Sequence, residues 1–432
     1  MTRESSDPLR VGRAVLASGL TVARQAVPDA ARSFAASYIG PAGWAYDPDG
    51  AEGLARLVAD LAPSAAGRRD RVALARALDE LGATLTHRLA PESVEYSVHG
   101  PADTFEPLLD LLADVVLRPR LATEDLERVR RQLFERQLRE AAQPESRADR
   151  EVLRTIFPPG HPYRATGLGT RSAVARLTRP QLARFRAGHF TAAGAYLVVT
   201  SGRSLTEVVR AIRGRFTGFD REPAPAGPAI PAVRAGGPAP RDIRMPGRAQ
   251  VEIRIGGASR PRSDPDYPAA FLANEVLGGR PLLSRLFQRV REVHGLAYHA
   301  SSGLEPMRWG GYWQAQAGTG PERADRATAL IRREIARLAR EPVGTGELTT
   351  IRDSAVGEMP LALETTLGAH ELAADVAYHD LPDDWLVNWP RALAAVGPEQ
   401  LRRAARTWMD PGTAVVVRAG PLGPVAPVHR RQ

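Results

Sequence analysis

Hydrophobic and polar positions change period along this chain, and the changes separate helices from strands. Apolar residues recur at helical spacing over 52–61, 72–81, 105–117 and 124–140. Short β-branched or alternating runs at 19–23, 83–87, 94–98 and 251–255 read as strands. Strands and long helices are mixed without a strict strand–helix–strand rhythm, which predicts α+β layers rather than a wholly parallel sheet. The stretch 216–248 has no such periodicity. It carries Pro223, Pro225, Pro228, Pro231, Pro238 and Pro246 among Gly and Ala, and reads as a linker. On either side the chain repeats itself. A helix starting at Thr178 leads into the strand 195–202, and a helix starting at Gly397 leads into 414–420, with starts 219 positions apart in both comparisons. The pattern therefore predicts two similar, duplicated domains, 11–215 and 249–425, joined by the Pro/Gly-rich linker. Each should pack helices on a mixed or antiparallel sheet.

Length and composition narrow the class. The 432 residues are enough for two or three domains with substantial cores. There is no cysteine, which excludes disulfides and cysteine-ligated metals. The N-terminus lacks an apolar core behind basic residues, and no window approaches a membrane span, so the chain reads as soluble and cytoplasmic. The net charge of +9 is carried wholly by arginine, since the sequence has no lysine. Arginine alternates with acids along the helices, as in 124–131, which is how a solvated helix face reads. Neither nucleic acid nor membrane is an expected partner.

The spacing of several short motifs then carries a resemblance. Gly53 to Asp60 stands where the pattern G-x-A-H-x-x-E-H would. Leu81-Gly82-Ala83, Tyr96, the run 112–116, Pro119, Leu121 and Pro144 follow at matching intervals, then His161-Pro162-Tyr163 and Gly167. In the second half come Leu277-Gly278-Gly279, Ser284-Arg285-Leu286 and Arg291-Glu292-x-x-Gly295-Leu296-Ala297-Tyr298. From about Val11 to Gly420 the chain resembles the insulinase/pitrilysin-type (inverzincin) zinc metallopeptidases, relatives of mitochondrial processing peptidase and of the cytochrome bc core proteins. The Arg291–Tyr298 stretch is the most specific of these motifs.

The resemblance also shows what is missing. The family's chemistry needs two histidines at i and i+4 on one helix face, a glutamate base between them and a distal glutamate ligand. Here the histidine positions hold Arg56 and Asp60, the base position Ala59, and the distal ligand position Arg136. A further family glutamate falls on Val129. Arginine offers no lone pair to a metal, and alanine cannot activate water. This chain is thus expected to bind no metal or other cofactor of its own. Asp60 is expected to sit in an ion-pair cluster between Arg56 and Arg136. The nine histidines, His87 among them, form no HxxEH arrangement.

Arg291 and Tyr298 remain. By the resemblance, such a pair reaches toward the peptide and holds its backbone and the carbonyl under attack. Donors of this kind are worth roughly 10²–10³ in rate each, about 2.7–4 kcal/mol. The implied function is the zinc-free, substrate-binding half of a heterodimeric metallopeptidase. Its homologous partner would carry the HxxEH motif and the zinc, and the two would enclose a chamber. Substrates would be either peptides in general or the leader segment of a natural-product precursor. The alternatives are a non-catalytic structural scaffold and a stand-alone peptide-binding protein that pairs with itself as a homodimer.

Overall fold

A computed structural model describes residues 7–27, 32–219, 223–233 and 240–422. Eleven strands fall in two sheets among the described residues. The first sheet holds β1 (Val11–Val15), β2 (Thr21–Ala26), β3 (Ser33–Gly40), β4 (Thr84–Leu89), β5 (Val94–Pro101) and β6 (Tyr196–Ser201). The second holds β7 (Arg241–Arg244), β8 (Val251–Ser259), β9 (His299–Met307), β10 (Gly310–Thr319) and β11 (Val415–Gly420). Their orders are β1-β2-β6-β3-β5-β4 and β7-β11-β8-β10-β9. Leaving β1 aside, the two are the same topology. The first strand of each repeat pairs parallel with the last, and every other pairing is antiparallel.

Fourteen α-helices accompany the described strands. The first repeat contributes α1 (Leu54–Leu61), α2 (Arg71–Glu80), α3 (Phe105–Leu117), α4 (Thr123–Ala142), α5 (Pro144–Ile156), α6 (Arg171–Arg176), α7 (Arg179–His189) and α8 (Leu205–Arg215). The second contributes α9 (Tyr267–Asn274), α10 (Ala324–Arg340), α11 (Thr345–Leu363), α12 (Thr366–Tyr378), α13 (Trp385–Ala394) and α14 (Pro398–Trp408). The duplication is thus a mixed-sheet α+β fold built twice.

The chain divides into two compact units, and these are not contiguous. One takes 1–137, 166–229 and 356–391; the other takes 138–165, 230–355 and 392–432. They differ from the contiguous segments 11–215 and 249–425 by an exchange of helices. In the second unit α5, from the first repeat, packs on β8 and β11. In the first unit α12, from the second repeat, packs on β2, β3 and β6. The two helices have the same length and hold the same place in their repeats, so the exchange is reciprocal. Periodicity gives no sign of which sheet a helix will cover.

Both faces of the first sheet are therefore buried. Val22, Phe34, Ala36, Tyr38, Tyr96, Leu197 and Val199 face a core shared with α1 and α3, while Ala23, Ile39 and Val198 meet Ala373, Ala374 and Ala377 of α12. This explains why β3 reads as a continuous buried run rather than an alternation. In the second unit Ala148, Val152 and Ile156 of α5 pack against Val415, Val417 and Ala419 of β11.

Two features depart from the sequence reading. The end of the expected linker folds as strand β7, which extends the sheet beside β11. The other end of the linker includes Phe216 and Phe219, both buried in the first core, and Pro238 lies outside the described residues.

Candidate functional site

In the first unit, α1 carries the positions where the family pattern would put its metal ligands. Its start is fixed by Asp47, whose carboxylate accepts from the backbone N–H of Gly53 at 2.7 Å and of Ala55 at 2.7 Å. Gly53 stands at φ +97°, a left-handed conformation, and a Cβ there would come within 2.8 Å of the Val174 side chain. Glycine is the residue that fits. Beyond it nearly the whole helix is buried.

Ala59, at the position of the general base, is 1% exposed and packs in the core, where its carbonyl accepts from the Tyr96 hydroxyl at 3.3 Å. Val129 is also core. Arg56 is 8% exposed, and its Nη1 donates to Oδ1 of Asp60 at 3.2 Å. The second partner of Asp60 is His87 of β4, whose Nε2 lies 2.9 Å from the same oxygen. Arg136, expected there, is exposed on α4, so His87 takes the place foreseen for it. Burial pushes the Asp60 carboxyl up. The hydrogen bond with His87 and the charge of Arg56 outweigh it and hold the group below its ordinary value.

This donor set does not fit zinc. It offers one carboxylate, already engaged by a guanidinium, and one imidazole, where the metal needs three protein ligands and an open position. Among the described residues no group of three or more His, Asp or Glu side chains could hold a metal ion. The partnership of His87 with Asp60 was not legible from sequence, because it depends on β4 lying beside α1.

In the second unit, the motif 277–298 folds in an unusual way. Helix α9 runs on into a wide, π-helical turn (Glu275–Gly279), and a second π-helical segment covers Phe287–Val293. Such turns interrupt ordinary helix packing and gather at functional sites. Gly278 is required by close approach, since a Cβ would come within 2.3 Å of the backbone nitrogen of Ser302 in β9. Two ion pairs made by buried arginines brace the connection between the turns. Arg280 meets Glu275 at 2.8 Å, and Arg285 grips Glu347 through Nε at 2.8 Å and Nη2 at 2.9 Å.

Arg291 and Tyr298 are brought together on this frame. The Arg291 guanidinium lies over the Phe287 ring at 4.9 Å and the Tyr298 ring at 5.5 Å. Among the described residues its one ion pair is with the adjacent Glu292 at 3.6 Å, with both side chains well exposed. Such a contact adds little. Tyr298 is 76% exposed, so it is not a core residue. The pair presents a guanidinium and a phenol side by side to the outside of the unit, in a form that can donate to carbonyl oxygens.

The other motif residues are structural. His161 accepts from the backbone N–H of Tyr163 at 3.1 Å, and burial lowers its pKa to about 4. The Tyr163 hydroxyl in turn accepts from the Trp309 backbone N–H at 3.1 Å. Among the described residues, no helix is long and apolar enough to cross a membrane.

Comparison with known proteins agrees with this picture. The family model described as Insulinase (Peptidase family M16) matches residues 21–161, and the model described as Peptidase M16 inactive domain matches 176–354. An uncharacterised zinc protease of Mycobacterium leprae is 28% identical over 82% of this chain and 79% of its own length. The mitochondrial-processing peptidase subunit beta of Lentinula edodes is 25% identical over 65% of this chain and 62% of its own. Among solved structures, a peptidase M16 inactive domain from Pseudomonas fluorescens superposes with a TM-score of 0.90. It covers 96% of this chain and 98% of that one at 23% identity.

Proposed function

The chain belongs to the insulinase (peptidase M16) family, and from that membership we propose that it is the substrate-binding, zinc-free subunit of a heterodimeric metallopeptidase in the cytoplasm. A homologous partner bearing HxxEH supplies the zinc and the general base. Arg291 and Tyr298 of this chain hold the peptide backbone and the carbonyl under attack. The observation that carries this reading is a contrast within one chain. The metal positions are filled by an Arg56–Asp60–His87 cluster and a buried alanine, while Arg291 and Tyr298 stand exposed and unburdened by strong partners. The peptide substrate includes the leader segment of a natural-product precursor.

The open edge of the first sheet suits the same role. β4 ends the strand order, is largely exposed and contains no proline, so its outer backbone groups can pair with an extended peptide.

The test is co-expression with an HxxEH-bearing family member, reading zinc content and peptide hydrolysis together. The chain alone should hold no stoichiometric zinc and cleave nothing, and the one-to-one complex should do both. Arg291→Ala or Tyr298→Phe should each lower hydrolysis by roughly 10²–10³ while the complex and its zinc stay intact. Unchanged hydrolysis in both variants would move the chain to a scaffolding role.

A further inference from the structure

Helix α5 has two unlike faces. Ala148, Val152 and Ile156 turn toward the second sheet and are buried. Arg147, Arg150 and Arg154 recur at i, i+3 and i+7, which places them together on the opposite face. Arg147 and Arg150 are half-buried and Arg154 is exposed. Their stems are therefore partly covered while the heads form one cationic row.

The row is not neutralised. No described carboxylate lies within ion-pair distance of any of the three. The adjacent Glu151 pairs with Arg241 at 2.8 Å, and the charges of Glu140 and Glu151 only partly offset the local positive field. Burial, then the charges of Arg154 and Arg147, pulls the Arg150 guanidinium below its ordinary pKa. The preceding helices are built differently. Arg118 pairs with Asp114, Arg128 with Asp125 and Arg130 with Glu127, each on its own helix. The corresponding positions of α12 hold Ala369, Leu372 and Val376. Duplication therefore does not explain the row, and like charges at these spacings work against the helix that carries them.

We propose that this face of α5 recognises carboxylates, and that the peptides this chain binds are rich in Asp and Glu. The proposal rests on the peptide-binding reading above and adds its substrate class. Planar guanidinium groups in a row match side-chain carboxylates along an extended segment, each contact charge-assisted and two-pronged.

The experiment uses the full chain and two fluorescein-labelled peptides, one with a run of glutamates and its glutamine counterpart, followed by anisotropy at low and physiological salt. The glutamate peptide should bind on the order of 10-fold tighter, with the difference shrinking as salt rises. Replacing all three arginines (Arg147→Gln, Arg150→Gln, Arg154→Gln) should remove that difference, leave binding of the glutamine peptide unchanged and not lower the melting temperature. The lysine versions of the same variants should keep part of it. If the triple variant melts early, Arg150→Gln alone should still reduce the preference. Equal binding of the two peptides, or a preference that survives the triple variant, overturns the proposal. So does tighter binding of a single-stranded oligonucleotide, which would make nucleic acid the ligand. Loss of both peptides in Arg291→Ala with no effect of the α5 variants would leave the peptide-binding reading standing and remove this one.

Discussion

The two units use the same topology and the same exchanged helix, yet they seat that helix with opposite chemistry. In the second unit α5 docks through charge. Arg254 of β8 is 3% exposed and meets Asp149 of α5 at 2.6 Å and Glu252 at 3.0 Å, and Gln314 also donates to Asp149. In the first unit α12 docks through neutral groups. His370 is buried, with Nε2 2.5 Å from the Ser37 hydroxyl and Nδ1 3.1 Å from that of Thr200. Ser37 lies 2.7 Å from Ser97, which donates to Glu95 at 3.1 Å. One consistent polarity runs Thr200 to Nδ1, Nε2 to Ser37, Ser37 to Ser97 and Ser97 to Glu95, so neutral histidine satisfies every group in line. The anchors also differ by one residue, since Asp149 corresponds to Glu371, which is exposed, and His370 to Ala148. The shared fold is thus held by apolar packing and strand pairing, while the polar anchor is free to change kind.

The contrast breaks most sharply at Arg254. Arg254→Ala leaves Glu252, itself 3% exposed, with only the His299 ring at 3.7 Å, and takes the guanidinium from Asp149. Removing one member of such a buried pair costs about 3–5 kcal/mol. Chemical denaturation should show that loss in the second unit. Arg254→Met combined with Glu252→Gln and Asp149→Asn should recover most of it, because apolar and neutral groups then replace the network together. A triple variant no more stable than the single one would mean that the charges themselves hold α5.

The neutral anchor predicts a pH response on the other side. Burial lowers the His370 pKa from 6.5 to about 4, an effect that Glu95 opposes and His99 adds to. The folded form therefore binds its proton less readily than the unfolded chain. The stability that neutral His370 provides is full above pH 6.5 and is lost as pH falls toward 4, by about 3 kcal/mol at the acid end. His370→Asn should flatten this part of the stability–pH curve at some cost near neutrality. An unchanged slope would assign the acid sensitivity elsewhere. Asp60 responds in a lower window, since its carboxyl is held below its ordinary value and its contribution fades as pH falls through that lowered value. Asp60→Asn leaves Arg56 buried without its carboxylate and should cost about 1–3 kcal/mol at neutral pH. A variant of unchanged stability would mean that solvent already satisfies Arg56.

How much of this was legible follows from which interactions are local. The strands at 94, 196, 251 and 415 and helices α3 and α4 announce themselves through periodicity, because each buries a face fixed by its own sequence. Thr178 and Gly397 mark true helix starts. The replacements at Arg56, Ala59 and Asp60 are readable because residue chemistry alone excludes a metal there. The helix exchange, the partnership of His87 with Asp60, the strand β7 in the linker and the π-helical turns around Arg291 are not readable. Each depends on a neighbour far along the chain, and a single sequence carries no register between distant segments.

The smallest expected effect compares the two repeats at one helix start. Thr178 precedes α7, and Gln181 accepts at 2.8 Å from both its backbone N–H and its hydroxyl, closing the first turn. The matching residue before α14 is Gly397, which makes no side-chain cap. Its backbone is extended at φ −94°, and a Cβ there would meet nothing within 4 Å. Serine therefore fits without strain and can accept from the N–H groups that glycine leaves to water. Thr178→Ala should cost about 1 kcal/mol, and Gly397→Ser should gain a few tenths of a kcal/mol. Measured together by denaturant midpoint, the two variants ask whether the repeats obey one capping rule. Opposite signs would show that they do, and a loss from Gly397→Ser would show that the glycine is kept for a contact the cap would disturb.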